Sequence, residues 1–156
     1  MWPTSWAAWI NAWLWTRGQT SWQELADGVW IGRAPWGQHP FASVVDLTAE
    51  LSVPGSVTVP VLDLTLPRPD QLDAAVAAIE GAPRPVFVCC ALGYSRSATA
   101  AAAWLAATNR AHSAAEAADL VRRARPQVVL RPEAIERLQT WAGTVRQGMR
   151  TYEFQR

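Results

Sequence analysis

The stretch Val86-Phe87-Val88-Cys89-Cys90-Ala91-Leu92-Gly93-Tyr94-Ser95-Arg96-Ser97 decides the fold, because it changes character twice in twelve residues. Val86 to Cys89 is an unbroken apolar run rich in β-branched residues, the pattern of a strand buried on both faces. A short loop follows, and Ser97 to Thr108 is an alanine-rich helical segment. Strand, loop and helix in this order bind anions. The first N–H groups of a helix lack intrahelical acceptors and the positive end of its dipole faces the loop, so a phosphate finds donors already aimed at it. Gly93 lets the backbone close round such an anion. The same field favours the thiolate, the nucleophilic form of a cysteine placed there. Arg96 adds a fixed charge whose planar fork matches two phosphoryl oxygens.

Working outward, three earlier runs read as strands between Pro, Gly and Asp punctuation: Val29 to Ile31, Ser43 to Leu47 and Val57 to Val61. Asp70 to Glu80 places Leu72, Ala75, Val76 and Ile79 on one helical face, with Pro69 near its start and Gly81 past its end. A strand, this crossover helix and the Val86 strand predict a right-handed βαβ unit. Beyond the loop, Ser113 and Glu116 form a capping box for a helix to about Arg123, and Pro132 opens another through Trp141. The expected architecture is a single α/β domain over 25–145, a mostly parallel sheet of about four to five strands flanked by helices. Residues 146–156 read as a loose tail.

Residues 1–24 read as a tryptophan-rich amphipathic helix. Trp2, Trp6, Trp9 and Trp13 recur at spacings of four, three and four, which puts them on one stripe. That stripe packs on the domain's own core or meets a partner or membrane surface, where Trp is favoured. No run reaches the roughly 18 to 20 apolar residues that a membrane span requires, and Arg17 follows the apolar segment instead of preceding it as in a secretory signal.

Composition narrows the rest. The chain has 156 residues, 50% hydrophobic and 17% charged, with net charge +1, ten tryptophans and no lysine. A chain of this size buries enough surface to do without a disulfide scaffold, and its near-neutral charge gives no electrostatic case for nucleic acid. The two cysteines are neighbours. Adjacent Cα atoms lie about 3.8 Å apart, below the roughly 4.4–6.8 Å that disulfides span, so free thiols and a cytoplasmic location are expected.

Cys90, five residues, Arg96 and Ser97 resemble the C-x(5)-R-[S/T] loop of cysteine-dependent protein tyrosine and dual-specificity phosphatases. The spacing selects Cys90, since Cys89 would leave six residues before Arg96 and stands where that family usually carries a histidine. The segments Val29-Trp30-Ile31-Gly32-Arg33 and Val44-Val45-Asp46-Leu47-Thr48 also look like the family's opening strands, and the likeness runs from about Asp27 to Trp141. The resemblance implies a small shallow-pocket phosphatase needing no metal or cofactor. Cys90 would be the nucleophile, with Ala91, Leu92, Gly93, Tyr94, Ser95 and Arg96 forming the phosphate loop. Ser97 would steady the departing thiolate, with helix capping as its structural alternative.

The family's general acid is an Asp after a strand. Asp63, 27 residues before Cys90, is the better match, and Asp70 competes from a helix start where a carboxylate caps. Asp46 reads as a strand-end turn residue, and His39 and His112 as solvated side chains. Arg125 resembles the family's arginine at the pocket rim, or else complements the end of the Ser113 helix. With Arg96 as the only basic residue in the loop, and with Leu92 and Tyr94 beside it, phosphotyrosine on a protein or peptide is the expected substrate, with phosphoserine and phosphothreonine accessible to a shallow pocket. A phospholipid headgroup phosphatase at a membrane surface and a non-catalytic phosphate-binding module are the alternatives.

Overall fold

A computed structural model describes residues 3–18 and 21–154. Five strands form one sheet: β1 (Trp22–Ala26), β2 (Val29–Arg33), β3 (Ser43–Thr48), β4 (Val57–Val61) and β5 (Val86–Cys90). Their spatial order is β1-β2-β5-β3-β4, with β5 in the centre. β5 runs parallel to both β2 and β3, and β3 parallel to β4; only β1 is antiparallel. The sheet is therefore mostly parallel, as expected, and its antiparallel edge strand takes up Trp22–Ala26, so the helix expected over 1–24 ends at Thr16. Asp27 and Gly28 both take positive φ between paired Ala26 and Val29, so a tight two-residue hairpin turn attaches β1 to β2.

The helices are α1 (Pro3–Thr16), α2 (Pro69–Gly81), α3 (Arg96–Ala107), α4 (Ala114–Ala124) and α5 (Pro132–Phe154). α2 carries the chain from β4 past β3 to β5. It buries Leu72, Ala75 and Ile79, three of the four residues that made it legible. α3 is buried along nearly its whole length, its alanines allowing close approach to the sheet and to α2, α4 and α5. In α4, Ser113 Oγ accepts from Glu116 N–H at 3.1 Å, as the capping box requires. α5 does not stop near Trp141. Nothing after Trp141 breaks a helix outright, and an added methyl at Gly143 or Gly148 would meet open space, so the segment read as the start of a loose tail is helical through Phe154.

The alternation of β5 divides the core. Val86, Val88 and Cys90 point into the larger cluster under the helices, whereas Phe87 and Cys89 point to a smaller one with Phe41, Val44 and Val53. The two thiols thus face opposite sides of the sheet, and both are free. On the smaller cluster's side, α1 contributes Ala8 while Trp6, Ile10, Trp13 and Leu14 stay exposed. Trp6 and Trp13 therefore do not pack on the core. Trp2 and the side chain of Trp9 lie outside the described residues. No described helix is long and apolar enough to cross a membrane.

Candidate active site

Cys90 ends the central strand, and residues 91–95 turn directly into α3. Cys90 Sγ lies 3.3 Å from Ser97 Oγ, in the first turn of that helix. Gly93 is required twice over. Its φ is +71°, and a Cβ there would come within 2.4 Å of the Gly32 carbonyl carbon and 2.5 Å of the Arg33 nitrogen. The loop therefore rests on the backbone of β2. Three hydrogen bonds hold it down: Ala34 N–H to the Cys90 carbonyl at 2.8 Å, Arg125 Nε to the Gly93 carbonyl at 2.9 Å, and Val129 N–H to the Tyr94 carbonyl at 2.7 Å.

Arg125 is not at the rim. It is fully buried beneath the loop, where it also donates to Gln23 Oε1 of β1. Burial lowers its basicity, partly offset by the charges it faces at Cys90 and Tyr94. Its position after α4 resembled a rim arginine because sequence spacing does not say on which side of the loop a side chain enters.

Arg96 is 5% exposed and is gripped by Glu50, with Nη2 to Oε1 at 2.6 Å and Nη1 to Oε2 at 2.8 Å; Nη1 also donates to the Val61 carbonyl at 3.0 Å. Burial alone would lower the guanidinium's basicity, but the Glu50 hydrogen bonds and the surrounding negative charges outweigh it, so the arginine stays firmly charged. Burial likewise pushes the Glu50 carboxyl upward, and the Arg96 hydrogen bond and charge overcome that and hold it below its ordinary value. Glu50 had no motif to announce it. It sits on the turn after β3, shaped by Asp46, whose buried carboxylate accepts from Thr48 N–H, Thr48 Oγ1 and Val53 N–H. Burial raises the Asp46 carboxyl against those hydrogen bonds. The turn role expected of Asp46 is thus tied to the site through Glu50.

Asp63 reaches the same place from the loop after β4, with Oδ1 3.4 Å from Arg96 Nη2 and its side chain 64% exposed. A cleft of about 360 Å³ brings Asp63, Cys90 and Arg96 together, walled by Leu64, Leu66, Leu92, Tyr94 and Val129, with Arg131 and Glu133 also lining it. Asp70 does not line it; it is exposed and paired with Arg68 at 2.9 Å. His39 is half-buried and stacks on Phe41, and His112 is exposed, so neither joins the cleft. The Cys89 thiol is pushed well above its ordinary range, first by burial and then by the charges of Asp46 and Cys90. It is inert packing on the far side of the sheet. The loop is braced by Arg125, Val129 and the β2 backbone.

Among families of known proteins, the dual specificity phosphatase catalytic domain matches residues 38–143. No curated protein matches the sequence. Solved structures do. Tk-PTP in its active form is 25% identical with a TM-score of 0.67, covering 92% of this chain and 99% of that one. Human DUSP28 is 24% identical with a TM-score of 0.64, covering 81% and 96%. PTPMT1 in complex with PI(5)P is 17% identical with a TM-score of 0.71, covering 83% and 99%. At these identities DUSP28 and PTPMT1 share the fold with this chain.

Proposed function

The chain belongs to the dual specificity phosphatase family and is a cysteine-dependent phosphatase, and from that premise we propose that it hydrolyses phosphotyrosine, with phosphoserine and phosphothreonine as secondary substrates, through a cysteinyl-phosphate on Cys90. The observation that carries this reading is the convergence of Cys90, Arg96 and Asp63 on one cleft whose remaining walls are largely apolar. In the first step the Cys90 thiolate attacks phosphorus, and the bond to the leaving oxygen breaks as Asp63 protonates it. Arg96 and the loop N–H groups hold the equatorial oxygens, where negative charge gathers in the transition state. In the second step the Asp63 carboxylate takes a proton from water, which attacks the phosphocysteine. Ser97 Oγ, 3.3 Å from Sγ, donates to the departing thiolate. Leu92 and Tyr94 suit an aryl phosphate, and the loop's single basic residue does not suit a polyanionic headgroup.

A second reading, a phospholipid headgroup phosphatase at a membrane surface, is favoured by one observation. Ala8 and Asn11 of α1 line a cavity with Glu50, Leu62, Asp63 and Leu92, so the helix that exposes Trp6, Ile10, Trp13 and Leu14 flanks the catalytic cleft. A non-catalytic module fits less well, because Cys90, Arg96 and Asp63 all line one cleft. The deciding experiment measures metal-free phosphate release from phosphotyrosine peptides and from phospholipid vesicles. Wild type should act on the peptides, Cys90→Ser should lose turnover, and Asp63→Asn should lose most on substrates with poor leaving groups. Release from vesicles alone would overturn the phosphotyrosine assignment, and full activity of Cys90→Ser would overturn the mechanism.

A further inference from the structure

We propose that Arg131 determines specificity by recognising an acidic side chain next to the phosphotyrosine, a proposal that rests on the substrate reading above. Arg131 precedes α5 and lines the catalytic cleft with Cys90 and Arg96. The other arginine of the cleft is engaged by Glu50 and Asp63, and Arg68, Arg110 and Arg122 elsewhere each hold a carboxylate. Among the described residues the Arg131 guanidinium makes no hydrogen bond or ion pair. Its structural duty is met by its backbone, whose carbonyl accepts from Ala134 and Ile135 N–H at 3.0 and 3.2 Å. A cation at a helix N-terminus is also in the wrong place for the dipole, which favours anions there. Packing and helix capping therefore do not account for the side chain, whereas an anion entering the cleft would.

The charge pattern defines that anion. Once a phosphoryl group occupies the loop against Arg96, Arg131 is the remaining cation of the cleft, with Asp63 needed as acid and Glu133 seated in the first turn of α5, where a carboxylate is favoured. One uncommitted guanidinium matches a single further negative charge and not a polyphosphate. Its fork suits a carboxylate bidentately. A peptide whose phosphotyrosine enters this cleft would present its neighbouring side chains to the wall that carries Arg131.

The test compares matched phosphotyrosine peptides with Asp or Asn on either side of the phosphotyrosine. In wild type kcat/KM should favour Asp at one of these positions by about fivefold, as expected of an exposed ion pair, and the preference should shrink with added salt. Arg131→Ala should bring the ratio to one, Arg131→Lys should keep part of it, and Arg131→Glu should invert it. A wild-type ratio of one at both positions, or a ratio unchanged in Arg131→Ala, overturns the proposal while leaving the phosphotyrosine reading intact. Turnover of p-nitrophenyl phosphate with none of any phosphotyrosine peptide overturns both.

Discussion

Replacing Glu50 with Gln preserves its size and removes its charge, and so isolates what the carboxylate does for Arg96. The pair joins an arginine that is 5% exposed to a carboxylate that is 32% exposed, through two hydrogen bonds of 2.6 and 2.8 Å. Breaking a fully buried pair costs about 3–5 kcal/mol; with Glu50 one-third open to water and Gln keeping one acceptor, about 2 kcal/mol is expected. For a chain of this length that lowers Tm by about 4–8 °C. Activity should fall further than stability suggests. Arg96 keeps its bond to the Val61 carbonyl but loses the contact that fixes the orientation of its fork. A misplacement on the order of 1 Å at a transition-state contact costs about 100-fold. Because the lost contact is strongest in the transition state, kcat and kcat/KM should drop together. Thermal melts and steady-state kinetics on an aryl phosphate measure both effects. A Glu50→Gln protein with wild-type Tm and wild-type kcat/KM would refute the positioning role.

Three further outcomes are expected. Since Arg96 holds the Glu50 carboxyl below its ordinary value, its stabilisation is complete above about pH 5 and is lost as pH falls through the lower folded value, so the Tm gap between wild type and Glu50→Gln should close on acidification; a gap that is constant with pH contradicts this. A thiol-alkylating reagent at neutral pH should add one equivalent, at Cys90 through the cleft and blocked by inorganic phosphate, because Cys89 is buried with its thiol pushed well up; incorporation of two equivalents into folded protein would contradict that assignment. Gly93→Ala, whose methyl would meet the β2 backbone at 2.4 Å, should cut turnover by more than about 100-fold, whereas Gly143→Ala, with nothing within 4 Å, should leave kcat/KM unchanged; equal kinetics for the two variants would count against the close packing of the loop.

What was legible in the sequence and what was not divides along contact range. Cys90, Gly93, Arg96 and Ser97 lie within eight residues, and their spacing is dictated by the geometry of a strand turning into a helix round an anion. Asp63 was singled out because the resembled family carries its acid after a strand, and the structure brings it from the loop after β4 to within 3.4 Å of Arg96. Glu50 escaped because its partner is 46 residues away and the turn carrying it has no pattern apart from Asp46's hydrogen bonds. Arg125 was identified as a residue near the loop but assigned to the wrong side, since only packing decides whether an arginine after α4 goes over the loop or beneath it. β1 was hidden by the tryptophan periodicity before it, although Asp27-Gly28 carried the hairpin signal.

The hairpin of β1 and β2 has a practical consequence for anyone handling this domain. The match to the dual specificity phosphatase catalytic domain covers residues 38–143 and so begins after both strands. A fragment cut at that boundary would keep every residue of the C-x(5)-R loop and still lose its floor. The Gly32–Arg33 backbone on which Gly93 lies would be gone, Gln23 would no longer hold Arg125, and one side of β5 would become an open edge ready to pair with another chain. The smallest unit able to keep its catalytic loop in shape therefore starts upstream of Trp22, some sixteen residues before the start of that domain match.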